Sequence, residues 1–222
     1  SPNGILEILH AAKAGNEIRV LMLRRGRQQL EQEALPQFLA AQRWFAGKSN
    51  PICSIRLVAD DELGDDGARW LLATLDTTFD NGVHHVYALP LALAWEDADF
   101  DRVQSLRHAT VSRVRQRAKM GILYDAFWDD AYCRRIVEGM RRAETVTLKS
   151  GTLVFSRTSA FAGAAAEAAV AAGTLQVTHP AFEQSNSLVV LGQKLALKGY
   201  RRLRRGINAE IEMGRFLTET SP

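Results

Sequence analysis

RWLLATLDTTF-DNG-VHHVYAL, residues 69–89, is the stretch on which the fold turns. Two runs rich in apolar and β-branched residues, Arg69–Phe79 and Val83–Leu89, flank Asp80-Asn81-Gly82, and Asn-Gly between such runs signals a tight hairpin. Upstream, residues 52–58 alternate, with Ile52, Ser54, Arg56 and Val58 on one face and Cys53, Ile55 and Leu57 on the other. The acidic segment Asp60–Asp66 lies between that run and the hairpin and is expected to be a solvated loop. The pattern predicts a meander of antiparallel strands beside helices, an α+β fold of antiparallel sheets with flanking helices.

Outward toward the N-terminus, Leu30, Ala34, Leu35, Phe38 and Leu39 keep helical spacing, and Pro36 inside that run predicts a break or kink. Residues 17–23, EIRVLML, predict a buried strand, and Ile5, Leu6, Ile8, Leu9 and Ala12 predict a helix stopping near Gly15-Asn16. Toward the C-terminus a second unit is expected after Pro90. It holds a short helix over 99–107, a strand over 110–117, a helix over 127–142 started by Asp129 or Asp130, and a hairpin around Lys149-Ser150-Gly151. The alanine- and glycine-rich segment 160–173 fits either a tightly packed helix or a mobile connector. Two short strands follow, 188–191 and 194–200. A basic turn then leads to a helix with Asn208 as N-cap and Glu210 and Glu212 in its first turn. The end at Thr218–Pro222, inside or just after that helix, leads us to expect the front part of something larger.

Composition bounds the function. The 222 residues are 46% hydrophobic and 24% charged, enough apolar chain for a core and too ordered a mixture for low complexity. Lys and Arg number 28 against 25 Asp and Glu, a net charge of +3 that demands no polyanionic partner. Cys53 and Cys133 stand 80 residues apart without a CxxC pair, so no zinc site is expected and no oxidising compartment is required. No run approaches the length of a membrane span and the first residues lack the features of a signal peptide, so a cytoplasmic protein without membrane contact is expected.

Several motifs lose their sharper reading. Ala46-Gly47-Lys48-Ser49 resembles the end of a phosphate loop, but Gln42 stands where its first glycine belongs and bulky Arg43, Trp44 and Phe45 intervene. A helix end with an aromatic anchor is the better expectation. Adjacent His84 and His85 in a strand point to opposite faces and cannot chelate one metal. Glu96, Asp97, Asp99 and Asp101 are expected on a solvated face. Lys198, Arg201, Arg202, Arg204 and Arg205 fit phosphate binding or a solvated turn equally. Tyr200 is their one interleaved aromatic residue, so no nucleic-acid partner is expected. More telling is the C-terminal constellation. A polar turn, Glu183-Gln184-Ser185-Asn186-Ser187, precedes a strand; a second strand carries Lys198, and Glu212 follows in a helix. A strand lysine held by a helix glutamate pairs the α- and β-phosphates of ATP in kinase folds, and a polar turn can cover those phosphates.

Four blocks carry a resemblance: QRWFAGKS at 42–49, GILYDA at 121–126, EQSNS at 183–187, and LK…RRL…GIN…EMGRFL between 197 and 217. Together, and in order, they resemble the N-terminal part of bacterial maltokinases, which occur free or fused behind trehalose synthase. The resemblance covers the chain from about residue 30, and residues 1–30 resemble the connector of the fused form. It implies ATP-dependent phosphorylation of the anomeric hydroxyl of maltose to maltose 1-phosphate, for trehalose and α-glucan metabolism. The implied fold is a cap subdomain followed by part of a protein-kinase-like N-lobe, an incomplete kinase fold. On this reading residues 1–30 are a leading helix and strand, 31–100 the cap, and 101–222 the intermediate subdomain with the start of the ATP lobe.

By motif, Lys198 would be the phosphate lysine, Glu212 its partner with Glu210 as rival, and Glu183, Gln184, Ser185, Asn186 and Ser187 the loop over the nucleotide. The family usually places a bulky apolar residue where Gly199 stands, a small polar one where Leu188 stands, and prolines near Arg205 and Ala209. The catalytic and Mg-binding residues and the maltose site belong to a C-terminal lobe, and none of the five histidines opens an H-x-D sequence. No catalytic or metal residue is therefore expected in these 222 residues. The rival expectation is a non-catalytic interaction module whose cap docks on a trehalose synthase domain, in cis or in trans.

Overall fold

A computed structural model describes residues 4–8, 15–45, 49–65, 68–157, 159–161, 163–180, 187–192, 195–203 and 217–219. Strand β1 (Leu6–Glu7) leads to helices α1 (Glu17–Leu21) and α2 (Arg24–Gln29), a π-helical turn at Leu30–Ala34, and α3 (Leu35–Ala41). The long strands β2 (Ile52–Asp65), β3 (Ala68–Phe79) and β4 (His84–Trp95) follow. After α4 (Phe100–Ser105) come β5 (Thr110–Gln116), β6 (Lys119–Asp125) and α5 (Asp130–Arg142). The remainder is β7 (Thr145–Thr147), β8 (Thr152–Val154), α6 (Ala164–Ala171), β9 (Val177–Thr178), β10 (Ser187–Leu191), β11 (Leu195–Gly199), β12 (Arg202–Leu203) and β13 (Leu217–Glu219).

The main sheet runs β1-β5-β6-β4-β3-β2, parallel at β1–β5 and antiparallel elsewhere. Strand β12 joins β4 along the edge that β6 uses further on, and β9, β10, β11 and β13 form a second sheet in the order β13-β11-β10-β9. Both faces of the main sheet are covered. Leu71, Ala73, Leu75, Tyr87, Leu89 and Leu91 pack with the helical segment 18–39 and with Trp44 and Phe45. On the opposite face Trp70, Leu72, Ala88 and Ala92 meet Tyr132, Ile136, Val137 and Met140 of α5, which in turn cover Val189, Leu191, Leu195 and Leu197 of the second sheet. Helix α5 is built for that place. Its apolar residues recur at helical spacing, Asp129 caps it by accepting from Ala131 N–H, and Ala143 closes it in the left-handed conformation.

Four expectations change. The N-terminal pair is reversed: Leu6–Glu7 is a strand beside β5, residues 9–14 lie outside the described residues, and Glu17–Leu21 is helical. An apolar run of this length does not distinguish strand from buried helix. Pro36 sits in the first turn of α3, where no intrahelical N–H is required, and the π turn before it absorbs the misfit. Strand β4 runs through Pro90 to Trp95 instead of ending there. At the far end, Leu217–Glu219 forms a strand paired with β11, while the helix expected from Asn208 lies outside the described residues.

The acidic segment is also corrected. Asp60 and Asp61 are buried strand residues, 8% and 1% exposed. Asp60 accepts from Arg19 at 2.9 Å and Arg27 at 3.0 Å, with Lys149 at 3.5 Å, and Asp61 accepts from the Ser150 N–H and hydroxyl. Arg27 also donates to Leu57 O while Glu31 accepts from Leu57 N–H, so side chains of the helical segment satisfy both backbone groups of Leu57 on the edge of β2. Truncating Asp60 strands two guanidinium groups beside it. Asp60→Ala is expected to lower stability by about 2 kcal/mol at neutral pH, read as a shift of the urea midpoint with unchanged slope.

Candidate nucleotide-binding site

Of the residues proposed to meet the nucleotide, Lys198 and Ser187 are among the described residues. In β11, Leu195 and Leu197 face α5, so alternation turns Ala196 and Lys198 to the other face. Antiparallel pairing sets Val190 opposite Ala196 and Leu188 opposite Lys198. Both β10 residues are half-buried. The face away from α5 is thus an apolar strip ending in one ammonium, with the Lys198 Nζ 5.2 Å from the centroid of the Tyr200 ring. Glu183, Gln184, Ser185, Asn186, Glu210 and Glu212 lie outside the described residues.

Ser187 is buried and opens β10 opposite Gly199. Its hydroxyl accepts from Arg201 Nε at 2.7 Å. The guanidinium also makes a two-pronged pair with Asp125, at 3.0 and 2.6 Å, and lies between two aromatic rings, 4.7 Å from the Trp44 centroid and 4.2 Å from Phe127. Arg201 is 2% exposed and Asp125 1%. This corrects the expectation that Arg201 belongs to a solvated or phosphate-binding basic turn. Arg202 beside it is exposed, and Arg204 and Arg205 lie outside the described residues.

The local sequence explains how a cation enters a sheet. Strand β6 ends where Asp125 meets Leu91, and β12 begins where Arg202 meets Tyr87, which leaves a gap along β4. Ala88 N–H donates to Arg201 O at 2.7 Å, so Pro90, two residues on, turns its nitrogen to the same edge. A proline has no hydrogen to leave unpaired there. The guanidinium occupies the gap, with Trp44 from one core and Phe127 from the other on its two faces. Phe127 also fills the space that a side chain at position 199 would need, which accounts for Gly199.

The Trp44-Phe45 pair is buried against Phe38, Tyr87 and Phe79, an aromatic anchor as expected from its motif, while Ala46, Gly47 and Lys48 lie outside the described residues. His84 points outward beside Asp76 and Thr78, and His85 packs on Phe79 and Tyr87. Cys133 is buried, and its pKa is pushed up by burial first and neighbouring aspartates second, so it is no thiolate nucleophile.

These features define an α+β protein in which a curled, mostly antiparallel cap precedes a smaller sheet bearing a strand lysine. Residues 38–129 match the maltokinase N-terminal cap domain family, a stretch that runs from Phe38 in α3 to the cap residue of α5. The match covers less than half of the chain and supports a maltokinase-related protein. Among the described residues no helix is long and apolar enough to cross a membrane.

Two outcomes test these contacts, the first of them at Arg201. Arg201→Met leaves a buried aspartate without its cation and is expected to cost about 3–5 kcal/mol. Asp125→Leu combined with Arg201→Met removes both charges and recovers most of the loss in urea unfolding. The second outcome concerns His179, which is stacked on Trp128 at 4.3 Å with its Nε2 3.5 Å from Asp130 Oδ1. Burial lowers its pKa from 6.5 despite the aspartate. The unfolded chain therefore binds a proton that the folded ring refuses, so stability falls as pH drops below about 6.5. His179→Phe is expected to flatten that part of the stability–pH profile.

Proposed function

We propose that this chain is the nucleotide-binding half of an ATP-dependent maltokinase. In that enzyme the γ-phosphoryl group of ATP passes to the anomeric hydroxyl of maltose, giving maltose 1-phosphate. The observation that carries the reading is the face of β11 turned away from α5, where half-buried Lys198 follows buried Ala196 and the two pair across the strands with Leu188 and Val190. It is joined to a cap of the maltokinase family. An ammonium at the end of an apolar strip suits a nucleotide in both its parts. The strip takes the face of a purine, and the charge pairs with the α- and β-phosphates.

Phosphoryl transfer depends chiefly on positioning and charge neutralisation. Lys198 would hold the phosphate chain straight while the side chains of its face exclude water from one flank. Mg²⁺ accompanying ATP would supply further neutralisation. Among the described residues no cluster of three or more His, Cys, Asp or Glu side chains is placed to hold a metal, so none is assigned to it. Maltose and a trehalose synthase domain, in cis or in trans, are the partners proposed.

Lys198→Ala in the full-length protein is expected to lower maltose-dependent ATP consumption by about 100-fold or more, with an unchanged circular dichroism spectrum. Wild-type turnover in that variant would refute the assignment.

A further inference from the structure

We propose that Arg201 is a positioning residue for the nucleotide, acting through Ser187 and Asp125; this rests on the nucleotide reading of Lys198. Ser187 and Gly199 are opposed at the open end of the β10–β11 hairpin, and Arg201 leaves β11 two residues after Gly199. From there its guanidinium reaches back to the first residue of β10 and across to the last residue of β6. Three chain segments are tied by one planar group that lies 4.7 and 4.2 Å from two ring centroids. Lys198 lies one residue inside the tied end, opposite Leu188.

The consequence is a division of labour within the polar stretch that ends at Ser187. A hydroxyl that phosphate recruits donates to it and has to be reachable from outside. The Ser187 hydroxyl is buried and already accepts a charge-assisted hydrogen bond. Its role is to fix where β10 starts relative to β11, and so where Leu188 and Lys198 stand. A lysine at 201 would keep the charge, but it lacks the planar fork that meets Asp125 at two points and Ser187 at a third.

The test is a double-mutant cycle on the full-length protein with Ser187→Ala, Arg201→Lys and their combination, reading the KM and kcat for ATP alongside thermal unfolding. Positioning through Arg201 predicts a KM raised about 3- to 10-fold in each single variant, kcat within about 2-fold, and a double variant no worse than the worse single one. Multiplying effects in the double variant would show Ser187 meeting phosphate directly and would overturn the proposal. A lowered melting temperature with unchanged KM would reduce Arg201 to a structural residue and overturn it equally. If Arg201→Lys does not fold, Ser187→Ala with Asp125→Asn forms the cycle and the same outcomes apply. Lys198→Ala run in parallel separates the two readings. Should it leave the KM for ATP unchanged, the nucleotide reading falls and takes this inference with it. Should it weaken ATP while the other variants do not, only the role of Arg201 falls.

Discussion

A guanidinium is stable inside a protein only when its charge and its N–H groups are all answered. The joint around Arg201 meets that demand with parts drawn from every layer of the molecule: a carboxylate from β6, a hydroxyl from β10, and rings from the segment after α3 and from the turn before α5. Apart from Asp125 and Phe127, which are two residues apart, none of these groups is near another in sequence. Each must be delivered by its own element, so the pairing forms only when the cap sheet, α5 and the β10–β11 hairpin have docked together. Replacing such a pair by apolar groups is often neutral for stability. What the charged version adds is a fixed register between segments that apolar contact alone would let slide.

The main sheet makes this possible because it is a shared wall. An antiparallel sheet commonly keeps one face in water, but here helices cover one face and α5 with the second sheet covers much of the other. Strand β4 consequently lies at the centre, buried without interruption from Tyr87 to Ala92. A wall with two dry faces leaves its charged groups only the edges and gaps. Asp60 and Asp61 occupy the outer strand, where Arg19, Arg27, Lys149 and Ser150 reach them, and Asp125 and Arg201 occupy the gap along β4.

This double burial also decides what could be read in the sequence. The Asn81-Gly82 hairpin, the Asp129 cap, the hairpin at Lys149–Gly151 and the final β10–β11 pair were legible because each is a local device: a turn residue, a cap, a short alternation. Asp60 and Asp61 were not, since an acidic run looks the same in water and beside three cations supplied from positions 19, 27 and 149. Arg201 stood in a basic run whose charge pattern hides one buried member among exposed ones. One signal did exist. Pro90 in an otherwise uninterrupted strand pattern marks an edge with no donor to pair, and a proline there asks what lies alongside. Lys198 was legible from its strand, because alternation alone turns it away from Leu195 and Leu197.

The joint also fixes how the candidate site can respond to change. Ser187 and Gly199 are backbone partners, and Arg201 follows two residues later, so a shift of the guanidinium by one hydrogen-bond length must be taken up by the hairpin end that precedes Lys198. Phe127 leaves no slack on the α5 side, because its ring already fills the space over Gly199. The opposite face of β11 is the one that carries Lys198. A substitution at Asp125, which lies in the stretch that matches the cap family, meets the end of that hairpin through Arg201.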